Sequence, residues 1–176
     1  MSEEEERSWF HVILTAYGAW LYGDRRGFRT RHHREHVEGD YKSPPPPDQY
    51  AMKEQRSRAS LKQEAVVIPE DLRAVVGAAL KERLEELGAL VIALSVSGQH
   101  VHTLAKMPVS SPRTWAGTAK RHAWFVLRDH GWTGKLWGKR SQAVPVPTRT
   151  HQLNVYRYIA EHKEEGAWVW LWAKKE

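Results

Sequence analysis

From Pro69 to Leu87 the chain reads PEDLRAVVGAALKERLEEL and then runs at once into ALVIALSV (Ala89 to Val96), a junction that constrains the fold more than any other stretch. Leu72, Val75, Val76, Ala79, Leu80, Leu84 and Leu87 recur at three and four, which predicts a helix with one buried stripe. Pro69 suits the first turn, Glu70 and Asp71 complement the positive helix end, and Gly88 stops it. The nearly continuous apolar run that follows predicts a buried strand, so helix and strand must share one core. Gly98 then marks a turn, and His100 to Met107 resumes as a strand. Ser111-Pro112 predicts an N-cap with proline in the first turn, opening a helix to about His130 that Gly131 ends.

The remaining elements follow in the same way. WFHVILTAY (Trp9 to Tyr17) is rich in β-branched and aromatic residues and predicts a strand. KLWGKRSQAVPV (Lys135 to Val146) predicts a strand or extended loop. Thr148 can cap a final helix, THQLNVYRYIAEHKEEG, ending at Gly166, and the tail WVWLW is β-prone. Residues 18–64 show no sustained period and contain Pro44 to Pro47, which forbid helix there, so this basic, Pro-rich stretch predicts a long loop or insertion ordered only in parts. The expectation is a single α+β domain over residues 1–176, with an antiparallel sheet and its helices packed on one face.

Charge narrows the partner. The chain carries 27 Lys and Arg against 21 Asp and Glu, and four of those acids are Glu3 to Glu6. The basic body suggests a polyanion, with nucleic acid the commonest case. Nine tryptophans accompany it, and rings interleaved with cations suit single strands, whose bases stack while phosphates meet Lys and Arg. Most of these rings are also explained by core packing. RRGFRTRHHREH offers Arg25, Arg26, Arg29, Arg31 and Arg34 as a backbone-gripping arm, or simply as a solvated charge run. With no Cys, neither a disulfide framework nor a thiolate zinc site can form. No apolar run approaches the roughly 18 residues that span a bilayer, and MSEEEERSWF lacks the basic and apolar regions of a secretory signal. The expectation is an intracellular protein with no membrane partner, cytoplasmic, or nucleoid-associated in a bacterium.

Two histidines flank one apolar residue at His100-Val101-His102. In a strand both imidazoles point to one face, close enough for one metal ion. Two ordinary strand histidines would look the same. In the last helix His151, Asn154, Tyr158 and His162 are spaced three, four and four along one face, while Leu153, Val155, Tyr156 and Ile159 can face the core. If the polar face docks on the strand bearing His100 and His102, three imidazoles and one phenol converge. A divalent ion there would polarise a phosphodiester, and an attacking phenol would give a phosphotyrosine whose energy allows later rejoining without ATP. Tyr156 lies about 200° from Tyr158 around the helix, so only one of them can face the metal, and the spacing to His162 favours Tyr158. His11 and His122 are read as structural or DNA-facing, and Trp137, Lys139 and Arg140 as DNA contacts mixing stacking with charge.

Here the chain resembles a known group. GQHVHTLAKMP (Gly98 to Pro108) is similar to the NHVHLL core of the single-tyrosine HUH transposases, which include the insertion sequence 200-like and REP-associated tyrosine transposases. LWGKRS (Leu136 to Ser141) is similar to their LWQ…Y segment, and NVYRYIAEH (Asn154 to His162) to their YIxxN or YIxxQ helix. The basic insertion after the first strand has no counterpart in that group. The resemblance implies a ferredoxin-like fold of the HUH endonuclease type, with His100 and His102 as paired metal ligands and Tyr158 as nucleophile. It also implies that His162, where the family carries Gln, Asn or Glu, completes the metal site, shifting preference from magnesium towards manganese or zinc-like ions. The expected activity is cleavage and rejoining of single-stranded or hairpin DNA through a 5′-phosphotyrosine, with Mg2+ or Mn2+ as cofactor, by a monomer or a homodimer. Two other readings fit the same residues: a domesticated DNA- or RNA-binding relative that does not cut, and a metal-dependent phosphodiesterase in which water attacks.

Overall fold

Burial alternates along the first strand, β1 (Arg7–Ala16): Phe10, Val12, Leu14 and Ala16 are buried, whereas Trp9, His11, Ile13 and Thr15 are only half-buried. This period of two gives the strand one apolar face and one mixed face. The computed structural model describes residues 5–24, 27–29, 36–38, 46 and 48–173. Its further elements are β2 (Gly27–Arg29), β3 (His36–Glu38), α1 (Ala51–Ala59), α2 (Glu70–Glu86), β4 (Leu90–Val96), β5 (His100–Pro108), α3 (Pro112–Asp129), β6 (Trp137–Pro145), α4 (Arg149–Glu161) and β7 (Trp168–Leu171). No helix among the described residues is long and apolar enough to cross a membrane.

Five strands form one open antiparallel sheet in the order β6–β1–β5–β4–β7, and β2 pairs with β3 as a separate hairpin. The succession β1, α2, β4, β5, α3, β6 is a βαββαβ unit, so the α+β arrangement is compatible with a ferredoxin-like fold. Strand β7 extends the sheet beyond β4. Gly88, Gly131 and Gly166 have φ of +93°, +84° and +81°, the left-handed values that let a chain leave a helix sharply. Thr148 caps α4 by accepting from the His151 amide at 3.1 Å, whereas Ser111 makes no side-chain cap on α3.

The main core joins one face of the sheet (Phe10, Val12, Leu14, Val101, Ala105 and Met107 among others) to α2 through Val76, Leu80 and Leu84, and to α3 through Ala119, Ala123 and Leu127. A second, smaller cluster of Ala93, Leu104, Val146, Val155 and Ile159 lies on the opposite face and holds α4 there. Helices therefore cover both faces, not one as the element order suggested. The reason is alternation: Leu104 and Ala105 are successive residues of β5, and each seeds the core on its own side.

The stretch expected to be a long loop is more structured than its composition suggests. It contains the β2–β3 hairpin and the nine-residue helix α1, which has no buried residue. Leu61 and Ala65 return the chain to the body beside Gly18, and the Val66 amide donates to the Tyr17 carbonyl at 2.8 Å. Arg25, Arg26, Arg31, Arg34, Pro44, Pro45 and Pro47 lie outside the described residues, and of Arg29 only its place in β2 is described.

Candidate active site

The strand register sets the site. Ser95 of β4 lies opposite His102 of β5, which lies opposite Ile13 of β1, while Thr15 faces His100 and His11 faces Leu104. Residues directly opposite share a face, so His11, Ser95, His100 and His102 all project from the side of the sheet that α4 covers. Val155 and Ile159 anchor α4 on Ala93 and Leu104. That docking turns Tyr158 and His162 towards the strand imidazoles.

The rings then meet in tilted and T-shaped pairs. His102 lies 4.7 Å from His162, 5.2 Å from His11, 5.4 Å from Tyr158 and 6.5 Å from His100, measured between ring centroids. Tyr158 lies 4.5 Å from His162 in a T-shaped pair and 6.0 Å from His11. His162 sits at the C-cap of α4, where its Nδ1 is 2.8 Å from Ser95 Oγ. His11 Nε2 is 3.0 Å from His102 Nδ1. The His100 amide donates to Ser97 Oγ at 3.1 Å, which fixes the turn between β4 and β5 next to the site.

Burial dominates the electrostatics. It pushes the His102 imidazole down to about 3, with added repulsion from His11, His162 and His100. It pushes His11 down to about 4, helped by His162 and His151. His162 is lowered by burial as well, against the opposing pull of Glu165 and Glu161. At neutral pH these rings are uncharged, which is the form that ligates metals and accepts protons. Burial also raises the Tyr158 phenol, with Glu165 adding to it, although the ring is 46% exposed and open to a substrate.

A divalent ion suits this donor set on chemical grounds, because neutral imidazole nitrogens are good ligands for manganese- or zinc-like ions. The rings approach one another in pairs: among the described residues no three His, Asp or Glu groups are already gathered as a set that would hold a metal ion.

The residues singled out from the sequence lie in different parts of the fold. His102, His162 and Tyr158 come together, with His100 beside His102. Lys139 and Arg140 are exposed on the edge strand β6, near the end of the sheet where Thr15 pairs with His100. Trp137 is half-buried against the main core, and its indole donates to the Lys120 carbonyl at 2.8 Å, so this ring serves packing. Tyr156 packs on the second cluster and its hydroxyl donates to the Trp172 carbonyl at 3.4 Å, away from the imidazoles. Sequence reasoning missed two members. Ser95 is the lone hydroxyl in an otherwise apolar strand, a visible signal. His11 lay on the mixed face of β1, but its closeness to His102 depends on strand pairing, which no local pattern reveals. The chain matches no protein-family model and has no significant match among curated proteins.

Proposed function

We propose that this chain is a nuclease and strand transferase of the single-tyrosine HUH type, which cleaves and rejoins single-stranded or hairpin DNA through Tyr158. The observation that carries this reading is the Tyr158 ring packed 4.5 Å from His162 and 5.4 Å from His102. A half-exposed phenol against a neutral imidazole cluster on an otherwise basic chain is suited to attack on a phosphodiester.

In this mechanism the Tyr158 oxygen attacks phosphorus, its proton passes to water, and the departing 3′-oxygen takes a proton from water. The phosphorus–O3′ bond breaks, one strand leaves with a 3′-hydroxyl, and the 5′-phosphate stays on Tyr158. A free 3′-hydroxyl reverses the step, breaking the bond to Tyr158 and returning its proton. Proton acceptance is needed because burial pushes the phenol above its ordinary value. His100, His102 and His162 would hold the Mg2+ or Mn2+ ion, which supplies charge neutralisation at the phosphate. Ser95 steadies His162, and Lys139, Arg140 and the arginine-rich arm around Arg25 to Arg34 supply backbone charge.

The test is adduct formation. Labelled single-stranded hairpins from the flanks of the gene are incubated with Mn2+ or Mg2+ and run on denaturing protein gels. A metal-dependent adduct is expected in the wild type and in Tyr156→Phe, and absent in Tyr158→Phe and His102→Ala. An adduct that survives Tyr158→Phe overturns the assignment of the nucleophile. Cleavage with no adduct puts water in its place, and tight binding with neither leaves a non-catalytic nucleic-acid binder.

A further inference from the structure

His11 and His102 come from adjacent strands held in a continuous antiparallel register from Arg7–Pro108 to Thr15–His100. Their contact therefore does not depend on a loop or a long flexible side chain. His11 Nε2 and His102 Nδ1 are 3.0 Å apart, an ordinary N–H···N hydrogen-bond length. Two neutral imidazoles at this distance share one proton: one ring donates and the other accepts. Both rings are kept neutral by burial, so the contact is not a charged pair. Around His11 stand His102 and Tyr158 by ring contact, and His162 and His151 by electrostatic effect. Among the described residues, the neighbours that contact or influence His11 include no acidic group.

We infer that His11 is a positioning residue for His102: His102 donates from Nδ1 to Nε2 of His11, which leaves Nε2 of His102 as the ring's lone-pair donor. What that lone pair serves, an ion at the substrate phosphate, rests on the function proposed above. A metal-binding histidine commonly gives its other ring N–H to a carboxylate, a carbonyl or water, which fixes tautomer and orientation. Here an imidazole takes that place. A neutral acceptor raises the basicity of His102 less than a carboxylate does. An ion bound by His102 would therefore be held less tightly than one whose histidine is backed by a carboxylate, and strand β1 fixes the orientation of the ring.

The full chain labelled with 15N in histidine tests this. Long-range 1H–15N correlation reports which ring nitrogen of His102 carries the proton, with its signals assigned by their loss in His102→Ala. The wild type is expected to show His102 protonated on Nδ1. His11→Phe keeps a ring and removes the acceptor, so His102 is expected to move its proton to Nε2. His11→Gln returns an acceptor at similar reach. Mn2+ binding, followed by electron paramagnetic resonance without DNA, is expected to weaken about 10–100-fold in His11→Phe and to recover most of that loss in His11→Gln. Wild-type His102 protonated on Nε2 overturns the inference. So does a His11→Phe protein with unchanged tautomer and Mn2+ affinity. Equal losses in His11→Phe and His11→Gln with an unchanged tautomer would make His11 a ligand itself. If the wild type binds no Mn2+, the metal part of the proposed function fails, while the tautomer result still decides the role of His11.

Discussion

Ser95 Oγ lies 2.8 Å from Nδ1 of His162, joining the buried C-terminal end of β4 to the residue that caps α4. One hydroxyl thus holds the imidazole that stands one helical turn beyond Tyr158. Ser95→Ala removes the partner and leaves the ring to rotate. The expected result is a stability loss of about 1 kcal/mol in urea denaturation, the usual worth of such a bond. Adduct yield should fall further than that loss explains, and Ser95→Thr, which keeps the hydroxyl, should recover part of it. Unchanged yield in Ser95→Ala would show that His162 needs no tether.

Stability should depend on pH in a defined direction. His102 and His11 are depressed to about 3 and about 4 from an ordinary 6.5. Between pH 6.5 and 4 the unfolded chain binds more protons than the folded one, so stability rises with pH there. The contribution is complete above 6.5 and is lost as pH falls through the window. Each ring accounts for at most about 2 kcal/mol by pH 5. With chelator present, the denaturation midpoint should drop between pH 6.5 and 5 in the wild type and drop less in His11→Phe. An equal drop in both proteins would mean that His11 is protonated as easily in the fold as outside it.

Gly77 is an apparent flaw in a helix that the packing explains. A Cβ at this position would run into the ring of Trp168, so α2 and β7 meet only because nothing projects there. Gly77→Ala gains about 1 kcal/mol of helix propensity. The collision outweighs that gain, and a net loss of about 1–3 kcal/mol is expected, as for overpacked cores. In a Trp168→Leu background the same substitution should be neutral or stabilising. If it costs as much there, the ring is not the obstacle.

The proposed function requires DNA binding, and binding through the edge strand would carry a salt signature. Lys139→Ala and Arg140→Ala should each lower the slope of log Kd against log salt by about 0.7 for single-stranded DNA, one phosphate contact apiece. Adduct chemistry at saturating DNA should persist in both. Slopes equal to that of the wild type would move the backbone grip elsewhere on the chain.

Much of this arrangement was legible in the sequence because short-range rules set it. The stripe of Val76, Leu80 and Leu84, the stop at Gly88 and the cap at Thr148 are all local, and all appear in the fold. Of the apolar stripe expected for α4, Val155 and Ile159 are buried and Tyr156 is half-buried, but Leu153 is exposed. What escaped was set at long range. A helix with one polar and one apolar stripe docks equally well on either side of a sheet, so the side chosen by α4 depends on which face of β4 and β5 offers Ala93 and Leu104. Helix α1 escaped because none of its residues is buried, which leaves no apolar period to detect. His11 escaped because its partner lies 91 positions away.

The two-faced packing of the sheet divides labour in the molecule. The large cluster between the sheet and helices α2 and α3 contains most of the buried apolar residues, while α4 is held by Val155, Ile159 and a few neighbours. Tyr158 and His162 therefore ride on a plank fastened by few nails. Hydrogen exchange in α4 should outpace that in β1 and β5, as in a segment that opens without global unfolding. On the function proposed above, a helix able to lift and resettle on an intact platform would give the same tyrosine two addresses, so a DNA end joined to it would not have to be released where it was cut.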